Sequence, residues 1–197
     1  MTSHPKRLIV GLTGASGAIY GVRLLRLLQE TEIETHLVMS RSAKITLTQE
    51  TDIDVAEVSA LASVVHPVDN IGASIASGSF KTMGMVIAPC SMRSLAEIAT
   101  GVTSSLVTRA ADVVLKERRR LVLMVREAPL HLGHLRAMTA ATEMGAIVYP
   151  PVPAFYARPA SLEQMVDHTL GRVLDLFEIE NTAVSRWGGL NSIKNGE

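Results

Sequence analysis

This chain of 197 residues has a single cysteine, no net charge and no long apolar run, and each of these features excludes a class of protein. Cys90 is the single cysteine, so no disulfide can form within the chain. Lysine plus arginine total 19, as do aspartate plus glutamate, so no chain-wide charge favours nucleic acid or an anionic membrane. The sequence shows neither a signal peptide nor an apolar run near the ~20 residues of a membrane helix, and we expect a cytoplasmic protein.

Charged residues are few as well. They make up 19% of the chain, whereas hydrophobic residues make up 47%. Because globular proteins usually have about a quarter of their residues charged, we expect part of the apolar surface to be covered in subunit interfaces.

Short apolar runs alternate with helical segments along the chain. The run at 7–13 precedes a helical pattern at 18–29, and the run at 83–88 precedes a helix to about Thr100. Nearly continuous apolar strands predict a mainly parallel sheet covered on both faces, a three-layer αβα, Rossmann-like α/β fold. Nothing in composition marks a boundary, so 1–197 reads as one domain with a C-terminal tail from about 178.

Ligands of such sheets bind beyond the carboxyl ends of the strands. The predicted strand ends are Leu12, Met39, Ala88, Val125 and Tyr149.

The first strand end leads into the glycine-rich turn Thr13-Gly14-Ala15-Ser16-Gly17-Ala18. Small residues let the backbone approach a ligand, and the helix start should present free amides to an anion. The spacing of Gly14 and Gly17 is not that of the dinucleotide fingerprint, and Glu34 lies at the start of the second strand rather than its end. A phosphate or flavin loop is therefore favoured over an NAD site, and a turn that serves packing alone stays open.

Two later strand ends carry polar residues with two interpretations each. Ser91 and Ser94 could face a ring or a phosphate, or Ser91 could simply cap the next helix. Arg126 could fork onto a phosphate and Glu127 could move a proton. The alternative for Arg126 and Glu127 is a surface ion pair of little energetic value.

Other polar residues are less specific. Arg109, Asp112 and Lys116 share one helix face, either as site residues or as a solvated ladder. The pair His131 and His134 is a weak metal signal. An isolated cysteine beside a strand is usually buried rather than nucleophilic.

Taken in order, a set of segments resembles the UbiX-type flavin prenyltransferases. They are TGASGAIYG, LVMS, QETD, ASGSF, APCS, TRAADVVLKERR, VREAPLHLGHL, PPVPAFY and RWG, and they run from about Lys6 to Gly188. The resemblance implies a flavodoxin-type Rossmann-like subunit in a dodecamer. It also implies metal-independent transfer of a dimethylallyl group from dimethylallyl phosphate to N5 and C6 of reduced FMN. The prenylated FMN would serve a UbiD-type decarboxylase of ubiquinone or phenolic acid metabolism.

The resemblance also implies roles for individual residues. Its FMN-binding positions fall on Gly14, Ala15, Ser16, Ser40, Ser91, Met92, Arg93, Ser94, Arg109 and Arg126. Its donor-binding positions fall on Lys116, Arg126, Tyr156 and Arg172. Its catalytic positions fall on Ser16, Glu50, Lys116, Glu127 and Trp187.

These residue types suit the implied chemistry. Ionisation of an allylic phosphate needs a leaving group held by cations, and the allylic cation needs an electron-rich, dry cavity, to which Trp187 could contribute. Glu127 could protonate the departing phosphate or remove the ring proton, with Glu50 organising the site. Some family members carry a second tryptophan before the ASGSF segment, whereas residues 69–73 here have no aromatic.

Three other functions compete with this interpretation. A flavin-dependent decarboxylase of cysteinyl peptides or phosphopantothenoylcysteine has an asparagine-rich motif, where this chain has Ala88-Pro89-Cys90-Ser91. Direct decarboxylation of an aromatic acid is a second alternative. A flavin-binding carrier without catalysis is a third, and it would have no need for a donor-phosphate pocket.

Overall fold

The computed structural model of the protein describes residues 5–184. The chain forms two compact units, Met1–Pro151 and Val152–Glu197. The single domain expected from the sequence stays a prediction.

A parallel sheet forms the centre of the first unit. Within residues 5–184 its strands are β1 (Arg7–Leu12), β2 (Glu34–Met39), β3 (Val64–His66), β4 (Gly84–Cys90), β5 (Arg120–Val125) and β6 (Ile147–Val148). Every adjacent pair runs parallel, in the order β3-β2-β1-β4-β5-β6. This is the order of doubly wound Rossmann sheets, and it reverses direction between β1 and β4, where such sheets bind ligands.

Helices follow the strands, as the alternating pattern predicts. Those of the first unit are α1 (Ala18–Gln29), α2 (Arg41–Glu50), α3 (Val55–Ala60), α4 (Met92–Thr100), α5 (Leu106–Lys116) and α6 (Leu132–Glu143). Side chains of Ser40 and Ser91 accept hydrogen bonds at the N-termini of α2 and α4, and Asp54 and Glu57 form a capping box on α3. The Rossmann-like α/β fold expected from the sequence is confirmed.

Apolar side chains hold the layers together. On one face, Ile9, Met85 and Leu123 of the sheet pack with residues of α4, α5 and α6. Helix α1 lies against β1 and β4, with Leu24 and Leu25 fully buried. Full burial of a leucine side chain is worth roughly 1.5–3 kcal/mol, so this core fixes the strand ends that carry the polar residues.

Two strand ends differ from the sequence prediction. Strand β4 was predicted to end at Ala88 but continues to Cys90, because a register shift after Ile87 lets Cys90 pair with Val125. Strand β6 ends at Val148, one residue before the predicted Tyr149. A short 3-10 turn at Ser74–Ala76 lies between β3 and β4.

The second unit contains α7 (Leu162–Asp175), which Ser161 caps. A 3-10 turn at Phe155–Ala157 precedes it. Within this unit the rings of Tyr156 and His168 meet edge to face, with 5.6 Å between centroids. Across residues 5–184, no helix is long and apolar enough to cross a membrane.

Candidate active site

A polar cavity opens at the carboxyl edge of the sheet, at the turn after β1 and the turn after β4. Its volume is about 560 Å³, within the usual range for small-molecule sites. The lining residues include six positions predicted from the sequence as flavin contacts, together with the predicted catalytic residue Glu127: Gly14, Ser40, Ser91, Met92, Arg93, Ser94 and Glu127.

The start of α1 differs from the sequence prediction. Its first amides were expected to be free for an anionic ligand, but the Glu50 carboxylate accepts them, at 2.7 Å from Gly17 N and 3.0 Å from Ala18 N. Gly17 has no side chain to cap the helix and adopts φ +102°. Glu50, from the end of α2, therefore caps α1 as an anion would.

The hydrogen bonds of Glu50 keep it ionised. Partial burial opposes ionisation, but the Ser16 side chain, the amides of Gly17 and Ala18 and the charge of Arg126 together hold the pKa of Glu50 below its ordinary value. Two predicted catalytic residues, Ser16 and Glu50, are thus hydrogen-bonded to each other. The predicted phosphate-binding Arg126 lies close enough to stabilise the negative charge of Glu50.

Arg126 lies over the first turn of α1. A side-chain atom at Gly17 would meet Cδ of Arg126 at 3.2 Å and the Tyr20 ring at 3.1 Å, so glycine leaves the room that both occupy. Burial raises the pKa of Tyr20, and the nearby Arg126 charge partly offsets that rise. Tyr20 is a site neighbour that the sequence analysis missed.

Gly14 allows close packing at the cavity. A side chain at Gly14 would collide with Ser42 in the first turn of α2. The turn after β1 therefore packs closely against the helix after β2, and both line the cavity.

The arginines of the cavity are already paired with acids. Arg41 contacts Asp69 at 2.9 Å, and Arg93 contacts Glu97 at 2.9 Å. An anionic group would therefore be bound mainly by hydroxyls and by the amide-bearing N-termini of α2 and α4. This donor set, with Val68 and Met92 as apolar wall, fits a ligand that has both a phosphate and a ring.

Glu127 follows β5 and is exposed in the cavity wall. Its carboxylate accepts a hydrogen bond from the amide of Ala128 at 3.0 Å. Arg126 and Glu127 are not an ion pair with each other; Arg126 acts on Glu50 instead. The surface-pair alternative for these two residues is therefore wrong.

Lys116 lies at the opposite edge of the sheet. It ends α5, just before β5 begins at Arg120, whereas Arg126 and Glu127 follow the end of β5. The strand alone separates the two edges by roughly 17 Å. One chain therefore does not bring Lys116 beside Arg126 and Glu127.

A second polar cluster surrounds Lys116. Its ammonium contacts Glu117 at 2.7 Å and lies beside Gly78. Arg119 donates at 2.7 Å to the carbonyls of both Gly78 and Phe80. The Arg119 side chain, just after α5, thus holds the ASGSF segment by hydrogen bonds to its backbone carbonyls. The sequence of the segment does not predict these hydrogen bonds.

The remaining predicted positions are spread over the molecule. Arg109 contacts Asp112 at 2.8 Å, as the ladder interpretation expects. In the second unit Arg172 contacts Asp175 at 2.8 Å, and Tyr156 is half exposed. Ala15 is buried in the first turn. Trp187 lies outside the described residues.

Three weaker signals have structural explanations. Complete burial raises the pKa of the Cys90 thiol to about 12, so it is no nucleophile at neutral pH. His131 caps α6 by accepting from the amides of Gly133 and His134. Within residues 5–184, no group of three or more His, Cys, Asp or Glu could hold a metal.

Glu34 is likewise structural. It accepts hydrogen bonds from Arg7 and His36, each at 2.8 Å, at the amino edge of the sheet. The hydrogen bond from His36, and then that from Arg7, hold the pKa of Glu34 below its ordinary value. It is far from the position of a ribose-binding acid, as expected.

Comparison with known proteins assigns the family. The Flavoprotein family model matches residues 1–187. Flavin prenyltransferase UbiX of Escherichia coli K12 is 61% identical over 187 residues, which is 93% of this chain and 99% of that protein. The chain belongs to the UbiX-type flavin prenyltransferases.

Solved structures of this family share the whole fold. AnUbiX (PadA1), crystallised with FMN and dimethylallyl pyrophosphate, superposes with a TM-score of 0.93 at 47% identity, covering 94% of this chain and 99% of its own. The dodecameric FMN-dependent UbiX-like decarboxylase of Escherichia coli O157:H7 gives 0.91 at 50% identity, covering 93% and 100%. The family predicted from the sequence is confirmed.

Several lining residues were not predicted: Arg41, Ser42, Val68, Asp69, Glu97, Ser104 and Ser105. Arg41 and Ser42 could have been predicted as lining residues, because they follow Ser40 in the first turn of a helix after a strand end. Val68 and Asp69 follow β3, a short strand that the predicted strand ends did not include.

Proposed function

We propose that this protein transfers a dimethylallyl group from dimethylallyl phosphate to reduced FMN, forming prenylated FMN. The observation that carries the proposal is the cavity at the β1/β4 edge. It brings the Ser91–Ser94 turn and Glu127 together, with the Ser16, Glu50 and Arg126 group in the adjoining turn, in a chain of UbiX-type sequence.

Different residues of the cavity bind different parts of FMN. Hydroxyls and amides at Ser40, Ser91 and Ser94 suit the phosphate and the polar ring edge. Gly14 and Ala15 keep the turn close to α2, and Met92 offers an apolar contact to the ring. Arg126 lies beside the proposed flavin site, where its positive charge interacts with the carboxylate of Glu50. Reduced FMN supplies the electron-rich N5 and C6 positions that accept the prenyl group.

Two carboxylates handle protons. Glu127 is exposed in the cavity wall and protonates the departing phosphate or takes the ring proton that C6 must lose. Glu50, kept ionised by its hydrogen bonds, accepts a proton through the Ser16 hydroxyl. Each carboxylate needs no metal for this role.

We propose that Lys116 serves the site of a neighbouring copy. It lies at the edge remote from Glu127 in its own chain, beside the Gly78 backbone at the surface. A close relative is dodecameric, and closed assemblies bring unlike surfaces of identical chains together. In that arrangement Lys116 stabilises the leaving phosphate beside Arg126 of the neighbouring copy. Donor binding by Tyr156 and Arg172 and the catalytic role of Trp187 stay predictions from the family resemblance.

The product leaves for another enzyme. Prenylated FMN is useful only to a protein that performs chemistry with it, and a UbiD-type decarboxylase is the recipient that the family implies.

The proposal is tested by anaerobic incubation of the purified protein with reduced FMN and dimethylallyl phosphate, followed by mass spectrometry of the bound flavin. We expect a mass increment of one five-carbon prenyl unit. Unmodified flavin, with carbon dioxide released from an aromatic or cysteinyl acid, would replace the proposal with a decarboxylase. Tight FMN binding without any product would replace it with a carrier. The structure of a PPC decarboxylase mutant is similar at only 19% identity, which supports the fold alone.

A further inference from the structure

Thr13 connects the two turns that meet at the centre of the sheet. It follows β1 directly, and only 2% of its surface is exposed. Its hydroxyl donates to the carbonyl of Pro89 at 3.0 Å and accepts the amide of Ser91 at 2.7 Å. Its own amide also donates to Pro89, at 3.1 Å. The hydroxyl proton and one lone pair therefore both have partners in the turn after β4.

The residues that Thr13 binds form the start of the cavity wall. Ser91 accepts the amide of Ser94 at 3.3 Å, and its hydroxyl donates to that of Ser94 at 3.1 Å. Both serines line the cavity. The contact of Thr13 thus fixes the residue on which the first turn of α4 is built.

The turn after β4 needs such an anchor. Pairing between β4 and β5 shifts in register between Ile87 and Cys90, so regular sheet hydrogen bonds do not set the path of the chain there. An amide that loses its buried acceptor costs more than the mean value of a hydrogen bond. Without the Thr13 hydroxyl, the Ser91 amide would have to reorient toward another acceptor. That movement would displace Ser91 and Ser94, which line the cavity.

We propose that Thr13 is a positioning residue for the flavin site: its buried hydroxyl sets the Ser91–Ser94 wall against which FMN binds. The inference rests on the proposed function only in taking FMN as the ligand of this cavity. Thr13 touches no reacting atom and acts through Ser91.

The test compares variants that differ by one hydroxyl. Thr13→Val keeps the shape and removes the hydroxyl, and Thr13→Ser keeps the hydroxyl. We expect Thr13→Val to raise the dissociation constant of FMN about tenfold, which corresponds to about 1.4 kcal/mol, and to change the visible spectrum of the bound flavin. Thr13→Ser should bind FMN within about threefold of wild type.

Thr35→Val is the matched control. Thr35 is also buried, and its hydroxyl likewise accepts a backbone amide, that of Ser63, at 3.0 Å. It lies at the start of β2, away from the cavity. We expect Thr35→Val to lower thermal stability as Thr13→Val does, and to leave FMN affinity and the flavin spectrum unchanged.

Equal FMN binding by Thr13→Val, Thr35→Val and wild type would overturn the inference and leave Thr13 a stability residue. If Thr13→Val does not fold, Thr13→Ala carries the same prediction without a methyl group at the hydroxyl position. Failure of the wild-type protein to bind FMN would instead refute the proposed function, so the two failures are distinguishable.

Discussion

The two edges of the sheet hold their charged residues in different ways. At the carboxyl edge, Glu50 reaches across from α2 to cap α1, and Glu127 opens into a cavity. At the amino edge, Lys116 pairs with its neighbour Glu117 and Arg119 holds backbone carbonyls. Three turns enclose a cavity at the carboxyl edge. At the amino edge, the charged residues lie at the surface and contact one loop.

The difference assigns separate tasks to the edges. The carboxyl edge has the cavity and, in the proposed function, the groups that transfer protons, so we expect it to determine flavin binding and proton transfer. The amino edge presents the cation of Lys116 remote from that cavity, so we expect it to affect donor binding in a neighbouring copy. Substitutions at the two edges should therefore change different kinetic constants.

Glu127→Gln should show the largest effect. Loss of a general acid or base typically costs about 10²–10⁴-fold in rate, and we expect kcat to fall in that range while FMN affinity is retained. Single-turnover kinetics with pre-bound reduced FMN measure it. Glu143→Gln, on the exposed end of α6, is the control and should behave as wild type. Normal turnover by Glu127→Gln would remove its assigned role.

Arg119→Lys tests whether the amino edge acts separately. A lysine cannot reach both carbonyls that the guanidinium holds, so we expect a loss of about 1–3 kcal/mol in the free energy of unfolding. The KM for the prenyl donor should rise because the loop beside Lys116 loosens. Denaturant unfolding and steady-state kinetics give the two values.

Arg118→Lys is the control for that substitution, since Arg118 is exposed and neighbours the same turn. It should change neither value. A change in FMN affinity in Arg119→Lys would contradict the separation of the edges.

Glu50→Gln tests the cap of α1 through its pH dependence. The pKa of Glu50 is lowered in the folded protein, so its contribution to stability is present above the unfolded pKa and is lost as the pH falls through the folded pKa. We expect the variant to be less stable by about 0.5–1 kcal/mol at pH 7. The difference should disappear in acid, as measured by thermal unfolding from pH 7 to pH 3. A difference independent of pH would exclude the carboxylate as its cause.

The Arg41 and Asp69 pair should show the smallest effect. Their side chains are 81% and 71% exposed, and such pairs add little stability because water and salt screen them. The double variant Arg41→Ala with Asp69→Ala should unfold at the wild-type temperature. A clear loss that is absent at high salt would mean that the pair closes the cavity mouth.

The fold and half of the cavity lining were predictable, the fold from local patterns and the lining from strand ends and family resemblance. Helix α1 was predicted to the residue, since apolar periodicity and the preceding glycine turn mark it. Ser91 and Glu127 were found because parallel strands bring their carboxyl ends to one edge.

Contacts between distant segments were not predictable. Glu50 lies 33 residues from the amide it caps, and no sequence period indicates that pairing. The remote position of Lys116 could have been anticipated, because a helix after a parallel strand returns to the amino edge and α5 ends there. Family resemblance assigned a residue to the site but did not say which copy supplies it.

Mixed oligomers test the division between the edges most directly. Lys116→Ala and Glu127→Gln chains, each nearly inactive alone, would be co-expressed with different tags, and the mixed assemblies isolated. If each site takes Lys116 and Glu127 from different copies, random mixing gives about a quarter of the sites both native residues, and about a quarter of wild-type activity. Activity no higher than that of the single variants would show that one chain supplies both residues and would contradict the account.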